Sequence, residues 1–147
     1  MKQFLACATL ALLTLGCDSG GGTPTDPSQA NIEFTITDLV VGTGNPAAVG
    51  NTATVNYTLW LFNAAGVESK GTRIQSSTDP GGAPFPLILG TRSVIPGFEQ
   101  AVLGMRVGGR RRVYIPANLA YGSQGSAQGG IPPNAALVFE IELVSLT

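Results

Sequence analysis

The chain has 147 residues and a formal net charge of −1, with 44% hydrophobic and only 12% charged residues. That is enough for one domain with its own core, and it gives no general electrostatic pull toward nucleic acid. Histidine is absent, which removes the commonest general base, the Ser–His–Asp and Cys–His arrangements and most catalytic zinc sites.

The first stretch, MKQFLACATLALLTLGC, places Lys2 before an apolar run from Phe4 to Leu15. This is the n-region and h-region of a secretory signal, too short to span a bilayer. It ends in LTLGC, which resembles a bacterial lipoprotein signal. In that pattern Cys17 becomes the first mature residue and carries the lipid. Gly16 fits the pattern, whereas Thr14 and Leu15 depart from the usual leucine and small residue. Cys7 and Cys17 are the only cysteines, so the rest of the chain has no thiol, disulfide or cysteine metal ligand. Residues 18–30 are rich in Gly, Ser, Thr, Pro and Asp, with no large apolar side chain, and read as a flexible tether. The implied location is the bacterial cell envelope, lipid-anchored on the exported side of a membrane. Inner and outer membrane both stay open.

From residue 31 to 147 the text is one domain. NIEFTITDLVVG alternates Ile32, Phe34 and Ile36 against polar neighbours and predicts a strand. GTGNPAAVGN is turn chemistry; it lacks the third glycine and following helix of a dinucleotide fingerprint. TATVNYTLWLF, Thr52 to Phe62, is a long β-branched and aromatic strand. NAAGVESKG reads as a hairpin-like turn, TRIQSS as a weaker strand, and FPLILG as a short one whose Pro86 suggests an edge. GFEQAVLGM predicts the one helix, with Phe98, Val102 and Met105 on one side and Gly104 as its stop. GRRRVYIP is a strand, and its Arg110, Arg111 and Arg112 read as a solvated strand start rather than a nucleic-acid patch. NLAYGSQGSAQGGIPPN is a soft loop with no order of its own, followed by the strand ALVFEIELVSL. The expected class is α+β: an antiparallel sheet packing one short helix against its inner face.

VNYTLWL, SVIPGFEQAVLGMRVGGRRRVYIPANLAYG and IPPNAALVFEIELVSL, in this order, resemble the FKBP-type peptidyl-prolyl cis–trans isomerases. The resemblance runs from about Phe34 to Leu146. It implies a half β-barrel wrapped around one short helix and an apolar pocket for proline-containing polypeptides. No metal or other cofactor is implied. Carried over residue by residue, Tyr57, Phe85 and Phe139 are the aromatic walls and Phe98 is the floor. Val94 and Ile95 precede the helix, and the Ile95 N–H is the donor to the substrate backbone. Tyr121 offers its hydroxyl to the substrate carbonyl region, and Ile131 closes the rim. The family commonly has FDSS where this chain has IQSS, so Ile74 stands for Phe and Gln75 for Asp. Phe98 stands where Trp is frequent, and the loop after Tyr121 is about one residue longer and lacks a frequent His. These departures imply weaker isomerase activity and poorer macrolide binding than in a typical member.

Two functions follow. One is an envelope-anchored prolyl isomerase, and the intact aromatic set favours it. The other is a proline-segment-binding chaperone or scaffold with little turnover, and Ile74 and Gln75 favour that. The loop is too short to hold an inserted flap domain. No leftover amphipathic helix suggests an oligomer, so a monomer is expected.

Overall fold

A computed structural model describes residues 26–147. Cys17, the signal segment and the first part of the tether lie outside the described residues. Six strands and one helix run in the order β1 (Thr35–Val40), β2 (Thr52–Phe62), β3 (Lys70–Ser76), β4 (Phe85–Ile88), α1 (Pro96–Val102), β5 (Arg110–Ile115) and β6 (Leu137–Leu146). All pairings are antiparallel, with sheet order β1-β5-β6-β2-β3. Strand β4 also pairs with β2, alongside the half that β3 leaves free. This is the antiparallel sheet with one helix that the sequence pattern predicts.

The register follows from side-chain alternation. Ala53, Val55 and Leu59 of β2 face the same way as Leu137, Phe139, Ile141 and Leu143 of β6 and Val113 and Ile115 of β5, and together they form the main core. Each strand contributes every second residue, as the pleat requires. Helix α1 lies on this face. Pro96 at its first position presets φ and needs no intrahelical donor. Phe98, Ala101 and Val102 are buried beneath it. Gly104, at φ +78°, carries the chain out of the helix through the left-handed region. Phe98, Val102 and Met105 all join the core.

A smaller apolar cluster occupies the other face: Phe62, Ala136 and Val138, with Trp60, Tyr114, Ala30 and Ile32 against them. It explains two departures from the sequence reading. Residues 26–30 are bound to the domain rather than free tether. Asp26 Oδ1 caps a short turn by accepting from Ser28 N at 2.9 Å and Ser28 Oγ at 2.7 Å. Ser28 is buried, and its carbonyl accepts the Ala136 N–H at 2.6 Å. Strand β1, in turn, starts only at Thr35. Ile32 covers the smaller cluster, Phe34 reaches the main core, and Ile36, on an edge strand, is 38% exposed.

The arginine run is not a solvated strand start beyond its first residue. Arg110 is exposed, but the Arg111 and Arg112 side chains are only 11% and 12% exposed. Arg111 pairs with Asp38 across β1 and donates to the carbonyls of Ala101 and Leu103 at the end of α1. Arg112 pairs with Glu140 and Glu68.

Candidate active site

The helix start, the open end of the sheet and the loop after Tyr121 enclose a cavity of about 440 Å³. Nine of the ten residues the sequence singled out line it: Tyr57, Gln75, Phe85, Val94, Ile95, Phe98, Tyr121, Ile131 and Phe139. Ile74 does not. Gln75 of β3 reaches the pocket, whereas Ile74 sits at the bulge between the Leu59–Gln75 and Trp60–Arg73 pairs and packs half-buried against the main core without lining the cavity. The aromatic face expected at that position is therefore not exchanged for an aliphatic pocket wall.

Four aromatic rings form a continuous surface. Phe98 and Phe139 meet edge-to-face at a centroid distance of 5.1 Å. Tyr57 stands edge-on to Phe98 at 5.7 Å and to Phe85 at 6.1 Å, and tilts over Phe139 at 6.1 Å. These are the offsets that ring quadrupoles favour. Their placement is set by backbone register: Val55 pairs with Phe85, Tyr57 with Ile141, and Leu59 with Phe139. Phe98 and Phe139 are buried and Phe85 sits at the rim.

Polar groups are few. Gln75 Nε2 donates to the Tyr57 hydroxyl. Tyr121 is 40% exposed. Burial, and then the neighbouring Tyr57, push its pKa above the usual tyrosine value, so its hydroxyl keeps its proton. Ile95 is the N-cap of α1, and its carbonyl accepts from Phe98 N at 3.0 Å. Among the described residues no hydrogen bond engages the Ile95 N–H.

The glycine-rich loop has more order than its composition suggests. Ser126 and Ile131 exchange backbone bonds of 2.8 and 2.9 Å, and Asn134 N donates to Gly122 O at 2.8 Å. Gly125 takes φ +63°, and a Cβ there would collide with Ile131 O and Pro132. Ile131 is thereby held, buried, at the pocket rim.

Leu59, Arg92, Ser93 and Gly129 also line the cavity and were not singled out. Leu59 was within reach of the period-two rule, two residues beyond Tyr57 on the same face. Arg92 and Ser93 adjoin Val94 but carry no pattern of their own.

A family model described as FKBP-type peptidyl-prolyl cis-trans isomerase matches residues 44–144. The chain belongs to this family. An FK506-binding protein of Neisseria meningitidis serogroup A is 41% identical over 111 residues, covering 76% of this chain and 94% of the relative. FK506-binding protein 2 of Dictyostelium discoideum is 35% identical over 144 residues, covering 98% of each. The crystal structure of FkpA from Escherichia coli superposes with a TM-score of 0.65 and 31% identity over 78% of this chain. The match spans about half of that larger chain, 48%. This FKBP-type domain thus has the family's sheet-and-helix fold, and the chain is a member of a peptidyl-prolyl isomerase family.

Proposed function

We propose that the protein isomerises X–Pro bonds of exported polypeptides from a lipid anchor at Cys17, on the exported side of a bacterial membrane. A trans X–Pro bond becomes cis only through a twisted state without amide resonance, over a barrier of roughly 18–20 kcal/mol. Unaided, this takes on the order of 10–100 s. Such chemistry needs no nucleophile or base, only a site that binds the twisted amide better than the planar one.

The observation that carries this reading is the aromatic cavity of Tyr57, Phe85, Phe98 and Phe139, with Gln75, Tyr121 and the Ile95 main chain among the few polar groups lining it. The rings accept the apolar proline ring. Their apolar surface displaces water from the amide carbonyl, which removes hydrogen bonds that favour the planar, dipolar form. The Ile95 N–H and the Tyr121 hydroxyl hold the flanking backbone. FK506-type macrolides are expected to compete for the same cavity, weakly because Gln75 replaces a carboxylate.

The test is cis–trans exchange of an Ala-Leu-Pro-Phe-type peptide, followed by NMR with the full chain. Acceleration that Phe139→Ala and Tyr121→Phe each reduce is expected. A native chain that binds the peptide without accelerating exchange would instead make it a proline-segment-binding module. Globomycin-sensitive processing of the chain, and its loss in Cys17→Ser, checks the anchor.

A further inference from the structure

Arg92 alone, among the residues lining the cavity, carries charge. No carboxylate opposes it there, because Gln75 occupies the place on β3 that turns to the pocket. The ion pairs among the described residues engage Lys70, Arg73, Arg110, Arg111 and Arg112, and Arg106 donates to the Gly44 carbonyl. Arg92 takes part in none of them.

Its backbone is held in place. Arg92 sits at φ +54°, a conformation uncommon for a residue with a Cβ. Its N–H donates to Glu99 Oε2 at 3.1 Å. On either side of it, Thr91 Oγ1 donates to Ile88 O at 2.8 Å and lies 3.1 Å from Ser93 Oγ. Glu99 therefore fixes the Arg92 main chain from helix α1. Its carboxylate weakens the local positive field, but it does not line the cavity and offers no competing wall to a substrate.

We propose that Arg92 is a specificity-determining residue that favours X–Pro segments with an aspartate or glutamate within two residues of the proline. This rests on the cavity being the isomerase site. An exposed guanidinium facing a carboxylate contributes little in absolute terms, but it acts beside an otherwise uncharged surface. A fixed cation also repels a lysine at the same substrate position.

The experiment places Glu, Gln or Lys in turn at the positions two before, one before, one after and two after proline in the same host peptide. The full chain is compared with Arg92→Gln and Arg92→Glu. Exchange NMR gives kcat/KM, and chemical-shift titration gives Kd. At least one position should favour Glu over Gln by about two- to fivefold at low salt, with Lys last. The preference should collapse near 0.5 M salt, vanish in Arg92→Gln and invert in Arg92→Glu. Equal values for the three residues at every position, or an order that survives Arg92→Glu, overturn the proposal. Tighter binding of the Glu peptide without turnover of any peptide upholds the selectivity and overturns the isomerase reading. Neither turnover nor binding of any peptide overturns both.

Discussion

Gln75 on β3 donates its side-chain amide to the hydroxyl of Tyr57 on β2, across the mouth of the aromatic cavity. The two strands are paired in this region, with Leu59 opposite Gln75, so the bond closes a short loop of covalent and hydrogen-bonded structure. An amide donor leaves the phenol's own proton available to another acceptor, which a carboxylate at this position would take up.

If the two side chains act as one unit, removing either should cost the same thing. Tyr57→Phe and Gln75→Leu should each lower kcat/KM in peptide exchange by about two- to tenfold, the worth of one net hydrogen bond. The double variant should lose no more than the worse single one. Additive losses would show that the two residues work separately.

The four rings divide between structure and recognition. Phe98 is 5% exposed and touches both Tyr57 and Phe139. Phe98→Ala should destabilise the fold by about 3–5 kcal/mol, read as a lower urea midpoint with unchanged slope. Phe85 is 38% exposed and meets only Tyr57 among the rings. Phe85→Ala should cost about 1 kcal/mol of stability while weakening peptide binding measurably. A larger stability loss at Phe85 than at Phe98 would reverse the assignment of floor and rim.

The strands and helix were legible because their periods are clean. Thr52–Leu59 alternates polar and apolar residues before an apolar end at Trp60–Phe62, and Pro96 and Gly104 bracket the helix. What the sequence hid depends on partners distant in the chain. The ion pairs of Arg111 and Arg112 need Asp38, Glu68 and Glu140, which only strand pairing brings together. The docking of residues 26–30 needs Ala136 and Pro133, more than 100 positions away. Ile74 falls outside the lining because it sits at a bulge in the β2–β3 pairing, which a match of neighbouring motif residues does not reveal. Order in the glycine-rich loop was hidden for a related reason: its composition signals freedom, and its backbone bonds are invisible until the chain closes on itself.

At Gly97 helix α1 packs tightly against Ile115 of β5. A Cβ built there would collide with Cγ2 of Ile115, a fully buried β-branched side chain, and approach Leu119 O at 3.1 Å. Alanine is the better helix former by roughly 1 kcal/mol, but the overlap should win. Gly97→Ala is expected to destabilise by about 1–3 kcal/mol and to tilt α1, moving Ile95 and Phe98 relative to the opposite wall. Thermal melting together with peptide exchange checks both effects. An unchanged or raised Tm would mean that Ile115 yields without cost.

The carboxylate of Glu140 joins three strands' worth of charge outside the cavity. Its Oε1 accepts from Lys70 Nζ at 2.8 Å and from Arg112 Nη2 at 2.7 Å, and Arg112 lies directly opposite it in the β5–β6 register. Lys70 also sits 4.6 Å from the centre of the Trp60 ring. Burial alone pushes the Glu140 pKa up, but the hydrogen bonds and charges of Lys70 and Arg112 outweigh it and hold the group below its ordinary value of 4.5. A carboxyl whose folded pKa is depressed stabilises the fold above its unfolded value. That contribution fades as pH falls through the lower, folded one. Glu140→Gln should therefore cost about 1.5–3 kcal/mol at neutral pH, where it leaves two mostly buried cations to share Glu68 as their charged acceptor. The gap between variant and native chain should narrow as the solution is acidified below the ordinary glutamate range. Urea unfolding across that pH range reads it directly, and a gap that stays constant into strong acid would show that Glu140 contributes through packing rather than charge.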